Sequence, residues 1–284
     1  MASSSNDRLR SLSHRTNATL LHTSRLLSTS TGIDNTLSTL MFISTLLHSQ
    51  LTRLLSARYE KLALALASQA SKSMLPGETV IASIEPPVSK LSKTCAGLKA
   101  LAETSAEVWM FMRLFALLHI YKRAHEIYST PPRDPAIKIL LWAQVGAGAT
   151  FQVIENIAYL ASKGILQGRR CEENWPRWMA LSNRFWMAQV LLEGLRLLRV
   201  RQLNWNEELG AQSEDGDEKA VKVQSEALKK RWKSDFYANA AWLPLTLHWS
   251  FEDESRSPVT ETWQGVCGLF ASVLSLKDAW RESA

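Results

Sequence analysis

Glycine and proline are scarce in this chain of 284 residues, which contains 12 glycines and 9 prolines. An all-β sandwich or barrel needs many tight turns, and these two residues usually supply them, so an all-β fold is excluded. Disorder throughout is excluded as well, because 46% of the residues are hydrophobic and provide material for a core. The abundance of leucine among them favours an all-α protein.

Cysteine is also rare: Cys95, Cys171 and Cys267 are widely separated and form no C-x-x-C pair. They predict neither a disulfide framework nor a structural zinc site. The 6 histidines include no i, i+4 pair, and the chain has no Walker A sequence, complete dinucleotide fingerprint or G-x-S-x-G motif. We therefore expect no catalytic residue, no metal and no cofactor, and we predict that the protein is not an enzyme.

Acidic residues are few in the first part of the chain, although the whole chain carries 33 basic and 27 acidic residues. The basic residues between 8 and 61 alternate with leucine instead of forming a run. This pattern favours a membrane surface or a partner helix over nucleic acid. The organisation that we predict is a basic Ser/Thr-rich segment (1–31), a helical region (32–203), an acidic linker (204–220) and a C-terminal hydrophobic helical region (221–284).

No apolar run reaches the length of about 20 residues that a clear transmembrane helix needs. The charge-free stretches 139–154, 236–251 and 262–276 come close to it, and several of the 11 tryptophans lie near their ends. Such tryptophans suit either a helical core or a membrane interface. We predict a membrane-associated helical bundle with amphipathic helices and one or two short hydrophobic spans, in which the C-terminal region is the most deeply embedded.

Hydrophobic periodicity and breakers predict the positions of the helices. Asp34 is expected to cap the first helix and Pro76 to end it. Asp134 and Pro135 are expected to begin the third helix, and Gly164 to stop it. The predicted helices are 34–75, 88–128, 136–162, 178–203, 221–233 and 263–280, with an apolar segment at 236–251.

Two of these helices are amphipathic and have basic borders, at residues 51–70 and 98–121. We expect at least one of them to contact lipid, and the alternative is that both pack together as the core of a bundle. The candidate membrane-binding residues are Arg53, Leu54, Leu55, Arg58, Lys61, Leu62, Leu66, Trp109, Arg113, Leu114, Phe115, Trp263 and Trp280.

Several segments resemble the peroxisomal biogenesis factor 11 family, in a divergent form of fungal type. They are TGIDNTL at 31–37, FMRLFALL at 111–118, IENIAYLASKGIL at 154–166, the spaced tryptophans of 178–186 and WQGVCGLFAS at 263–272. The residues that carry the resemblance are Arg113, Glu155, Asn156, Tyr159, Lys163, Gly164, Gly265 and Gly268.

The resemblance implies a peroxisomal membrane protein that elongates the organelle and promotes its fission. It also implies a homo-oligomer, anionic membrane lipids as partners, and contact with the organelle-division machinery. An amphipathic helix that enters one leaflet expands that leaflet relative to the other, which bends the membrane.

Two other functions remain open. One is a small-metabolite pore in the peroxisomal membrane. The other is a mitochondrial helical protein with a cleaved presequence, because residues 1–31 are rich in Ser, Thr and Arg and contain one acid, Asp7. The endoplasmic reticulum membrane is an alternative location.

Overall fold

A computed structural model describes residues 16–73, 90–211 and 218–283, and within these ranges the chain is helical and contains no strand. The all-α prediction is therefore confirmed for the described residues. The helices are α1 (16–27), α2 (Ser30–Ser73), α3 (Lys90–Arg113), α4 (Ala116–Ser129), α5 (Pro135–Ser162), α6 (Arg169–Ala211), α7 (Glu218–His248) and α8 (Glu261–Glu282), with a short 3₁₀ turn at Glu254–Arg256.

The N-terminal half of α2 is the centre of a three-helix layer, with α3 on one side and α8 on another. Both neighbours run antiparallel to it. Along α8, Asn35 Nδ2 donates to the carbonyl of Ser275 at 3.2 Å, and the hydroxyls of Ser49 and Thr262 are 2.6 Å apart. Trp109 on α3 contacts the start of the same half, so α2 is held on two faces over its first six turns.

Helices α5 and α6 form the most extensive pair, and α7 connects them to the first layer by packing on both α6 and α8. Asn239 Nδ2 on α7 donates to the carbonyl of Val190 on α6 at 3.0 Å. Aromatic residues fill the space between the layers, where Trp186, Trp242 and Trp249 pack around the buried Phe42.

Three of the predicted helices are confirmed, but Asp34 does not cap the first of them. Helix α2 begins at Ser30, one turn earlier, so Asp34 lies inside the helix and its carboxylate accepts a hydrogen bond from Trp109. In the third predicted helix Asp134 is the cap and accepts from the backbone N–H of Ile137 at 2.9 Å. Gly164 has a φ of 70°, as expected of a residue that ends a helix.

The single helix predicted over 88–128 is wrong, because the chain breaks between α3 and α4. The backbone N–H groups of Leu114 and Phe115 bond to carbonyls three residues earlier, which tightens the chain into a turn. The carbonyl of Leu114 accepts instead from Asn156 Nδ2 of α5, at 3.2 Å. A tertiary contact therefore ends a helix that local sequence would have continued.

The boundaries predicted at 178 and at 233–236 are wrong as well. Helix α6 begins at Arg169 and continues through Pro176, and the Gly168 carbonyl accepts from the N–H groups of Cys171 and Glu172 in its first turn. The two segments predicted at 221–233 and 236–251 form one helix, α7, which continues through Pro244. Proline has no backbone N–H, so each of these two helices continues past one missing hydrogen bond.

Much of the predicted acidic linker (204–220) lies in the ends of α6 and α7, and 212–217 lie outside the described residues. In the N-terminal segment, residues 1–15 also lie outside them, whereas 16–27 form α1. Leu26 of α1 is buried, and His22 Nε2 is 2.8 Å from the carbonyl of Trp280 on α8. Helix α1 therefore packs at the end of α8.

Two glycines of α8 allow its close approach to α2. A Cβ added to Gly268 would lie 2.3 Å from the ring of Phe42, and one added to Gly265 would lie 2.9 Å from Leu46 Cβ. We expect Gly268→Ala to lower the free energy of unfolding by about 1–3 kcal/mol, because the two helices must separate. Chemical denaturation followed by circular dichroism measures this change.

The control is Gly97→Ala on α3, because a Cβ at Gly97 meets nothing within 4 Å. Alanine there should raise the free energy of unfolding by roughly 0.5–1 kcal/mol through its better helix propensity. Equal effects of the two substitutions would contradict the proposed close packing of α8 on α2.

Candidate functional site

A buried ion pair joins α3 to α5 at the point where α3 ends. Arg113 Nη2 lies 3.2 Å from Glu155 Oε1, and the two side chains are 13% and 4% exposed. Gln152 Nε2 donates to Glu155 at 2.9 Å and to Asn156 Oδ1 at 2.8 Å. Asn156 Nδ2 also donates to the carbonyl of Leu114. Neighbouring residues of α5 therefore both neutralise the charge of Arg113 and hold the backbone of the α3–α4 turn.

Aromatic rings surround the guanidinium group of Arg113. Its central carbon lies 4.8 Å from the ring centres of Trp109 and Phe151 and 5.3 Å from that of Trp186. A guanidinium group stacks well on such rings, and this attraction grows when water is excluded. Arg113 therefore connects α3, α5 and α6 from the inside of the molecule.

A second, more exposed ion pair joins α3 to the C-terminal end of α5. Lys163 Nζ donates to Glu107 Oε2 at 2.7 Å, and the hydroxyl of Tyr159 donates to Glu107 Oε1 at 3.3 Å. The hydrogen bond from Lys163 lowers the pKa of Glu107, and the same bond raises the pKa of Lys163. Gly164 then turns the chain away from α5.

Seven of the eight residues that carry the family resemblance thus lie at helix contacts, and the eighth, Gly164, ends α5. The α3–α5 contact contains Arg113, Glu155, Asn156, Tyr159 and Lys163, and the α2–α8 contact contains Gly265 and Gly268. Their arrangement supports a packing role. Among the described residues, no three of His, Cys, Asp and Glu come together to hold a metal ion.

The candidate membrane-binding residues are divided between the surface and the interior. On α2 the basic side chains are exposed, and Leu54, Leu62 and Leu66 are exposed as well, while Leu55 is half-buried. Phe115 and Trp263 are also exposed, whereas Leu114 and Trp280 are half-buried.

Trp109 and Arg113 are not available to lipid in this fold. The indole N–H of Trp109 donates to Asp34 at 2.7 Å, and Arg113 is paired with Glu155. The last turns of α3 are apolar on both faces, and Trp109 and Arg113 lie on the face that is turned to the interior. Of the two interpretations, lipid contact and a bundle core, the structure supports the bundle core for these two residues.

Helix α5 buries three polar side chains among apolar ones and exposes an apolar stripe. Gln144, Gln152 and Glu155 are buried, whereas an exposed stripe follows the opposite face. At 100° per residue the stripe is continuous, because its members fall within about 60° of one another. We call this the α5 stripe, and it consists of Ile139, Trp142, Val153 and Ile157.

In the described part of the chain, α5 is the one helix that is long and apolar enough to cross a membrane, and its most apolar window is only 22% buried. Helix α8, expected to be the most deeply embedded, does not meet that criterion. The α5 stripe was not found from the sequence, although the spacing of its four residues contains the signal.

A model of one protein family matches residues 89–280 of the chain, and it describes Peroxisomal biogenesis factor 11 (PEX11). The chain belongs to this family. The matched range includes every residue of the α3–α5 contact and both glycines of α8, whereas α2 and the resemblance at 31–37 precede it. Neither a search of curated proteins nor a search of solved structures found a match.

Membership of the PEX11 family connects the chain with peroxisome biogenesis and with the peroxisomal membrane. The family is one of biogenesis factors and is not known as an enzyme family.

The buried pair makes a quantitative prediction for this PEX11 protein. We expect Glu155→Leu to lower the free energy of unfolding by about 3–5 kcal/mol, because it leaves the Arg113 charge buried and uncompensated. Adding Arg113→Met removes that charge, so the double variant should recover part of the loss. Thermal and denaturant unfolding of the purified protein measure both values.

The control is Glu126→Gln, which removes the exposed i, i+4 pair with Lys122. Its effect should stay within roughly 0.5 kcal/mol. If the double variant were no more stable than Glu155→Leu alone, the buried charge would not be the cause of the loss.

Proposed function

We propose that this PEX11 protein elongates the peroxisomal membrane, and so prepares the organelle for fission, by inserting part of α2 into one leaflet. The observation that carries the proposal is the exposed C-terminal part of this helix, residues 54–70, which we call the α2 tail. We propose further that α5 holds the protein at the membrane.

The α2 tail extends beyond the described helices that cover the rest of α2. Helix α8 contacts α2 as far as Ser49, and the hydroxyl of Thr52 lies 3.2 Å from Cys95 Sγ, little more than one turn after α3 begins. After this point the large apolar side chains stay accessible: Leu62 is 45% exposed and Leu64 is 65% exposed. The tail thus offers apolar surface to an external partner.

The distribution of side chains around the α2 tail suits a lipid surface. At 100° per residue, Leu55, Leu62 and Leu66 fall within about 40° of one another. Arg58 and Lys61 lie on one flank of this stripe, where their long side chains can reach anionic head groups. Leu54 and Leu64 lie outside the stripe.

The free energy expected from inserting the α2 tail is sufficient for reversible binding to an anionic membrane. Complete burial of a leucine side chain contributes roughly 1.5–3 kcal/mol, and each basic residue near an anionic surface adds about 1 kcal/mol. A few leucines with two or three basic neighbours therefore reach the affinity of a typical interfacial helix. Bending a whole organelle requires many copies, so self-assembly is part of the proposal, and the division machinery would act on the elongated membrane.

We expect Leu62→Glu combined with Leu66→Glu in the full-length protein to weaken binding to anionic vesicles at least about tenfold, because the stripe loses its apolar area and gains repulsive charge. Tubulation of the vesicles should be lost with it. Vesicle co-sedimentation and negative-stain electron microscopy measure the two effects.

The matched control is Ala57→Glu combined with Ser68→Glu, which adds the same charge to the opposite side of the same tail. Both positions are exposed. This control should keep most of the binding. Vesicles that remain round with the wild-type protein, or equal losses in the two double variants, would refute insertion through this stripe.

The anchoring role of α5 has its own test. We expect Val153→Arg with Ile157→Arg to move the protein from the membrane pellet to the supernatant after alkaline carbonate extraction of cells. A charged residue near the middle of a membrane helix costs about 2.5–3.5 kcal/mol, and two such residues outweigh most anchors.

The control is Ser129→Arg with Gln167→Arg, which places the same charges at exposed positions beyond the two ends of the α5 stripe. It should remain in the pellet together with a peroxisomal membrane marker. Extraction of the wild-type protein by carbonate would show that α5 is not the anchor.

A further inference from the structure

A cavity of about 560 Å³ lies between the start of α2, the α3–α4 turn, α6 and α7. Its volume is in the range of small-molecule sites. Its outer rim is formed by exposed residues, among them Thr31, Phe115 and His119, and its inner end by Asp34, Trp186 and Trp242. The cavity is at the opposite end of α2 from the α2 tail, so binding of a ligand there does not depend on the proposed membrane insertion.

Asp34 is the carboxylate among the residues that line this cavity. The guanidinium group of Arg113 and the imidazole of His119 also line the cavity and act electrostatically on Asp34. Arg113 is already paired with Glu155 and stacked on three rings. Asp34 accepts from the neutral indole N–H of Trp109, and burial raises the pKa of its carboxyl group. A second, cationic partner would therefore stabilise the ionised form of Asp34.

The other walls of the cavity are mainly aromatic. Trp186 and Trp242 both line the cavity, with their ring centres 5.5 Å apart, and Phe151 and Trp249 stack on Trp186. Aromatic rings beside a carboxylate are an environment in which proteins recognise ammonium groups. Towards the rim the lining becomes apolar at Met112 and Phe115, which are both exposed, and Leu118 beyond them is 70% exposed.

We propose that this cavity binds the ammonium group of an amphiphile, with Asp34 as its counter-ion. The indole rings of Trp186 and Trp242 surround the head group, and the apolar chain leaves past Met112 and Phe115. The ammonium group can come from the head group of a zwitterionic phospholipid or from a simple alkylamine.

The experiment uses the full-length protein, purified in a neutral detergent with a sugar head group. Octyltrimethylammonium is titrated against intrinsic tryptophan fluorescence, and octyl sulfate and octanol serve as the anionic and neutral probes of equal chain length. We expect the cation to bind at least about tenfold more tightly than either. A further titration with lysophosphatidylcholine distinguishes the two sources: binding as tight as that of the cation indicates a lipid head group, and much weaker binding indicates an alkylamine.

Asp34→Asn keeps an oxygen that can accept from Trp109 and removes the charge, so it should weaken binding of the cation about tenfold or more. Glu103→Gln, at an exposed acid on α3, is the matched control and should leave binding unchanged. If Asp34→Asn does not fold, Thr31→Trp at the exposed rim should block the cavity for all probes. Equal binding of octyl sulfate, or full binding by a folded Asp34→Asn or Thr31→Trp variant, would overturn the proposal.

Discussion

The burial of one guanidinium group constrains much of this fold. Arg113 cannot stay charged inside the protein without a partner, and Glu155 supplies that partner from α5. The rings of Trp109, Phe151 and Trp186 then exclude water from the pair. Because these groups come from three helices, the position of each helix depends on the same contact, and the α3–α4 turn is fixed by the neighbouring Asn156.

The sequence was sufficient for the helices whose signals are local. Asp134 and Gly164 mark the ends of α5 by capping chemistry that needs no tertiary contact, and both were placed correctly. The break after Arg113 could not be predicted, since it depends on an amide that is 42 residues away in the chain. The same holds for Trp109, whose apolar neighbours suggested lipid contact and whose indole N–H binds Asp34.

Only part of the candidate site could be predicted from the sequence, because the roles of its residues depend on contacts between helices. Resemblance selected Arg113, Glu155 and Asn156 without saying what they do, and their distances assign them to packing. The α5 stripe follows from helical spacing alone. Which face of α5 packs in the bundle and which stays exposed is known only from the structure, because both faces contain apolar residues.

The two parts of α2 combine stability with accessibility in one continuous helix. Its first half is fixed by α3 and α8, with Gly268 letting α8 approach as closely as the ring of Phe42. Since one unbroken helix continues into the α2 tail, the fixed half determines the direction in which the tail leaves the bundle. The α2 tail therefore keeps a defined orientation relative to the α5 stripe. If the α2 tail inserts and α5 anchors the protein, as proposed, this fixed orientation would make both surfaces meet the membrane in one defined geometry.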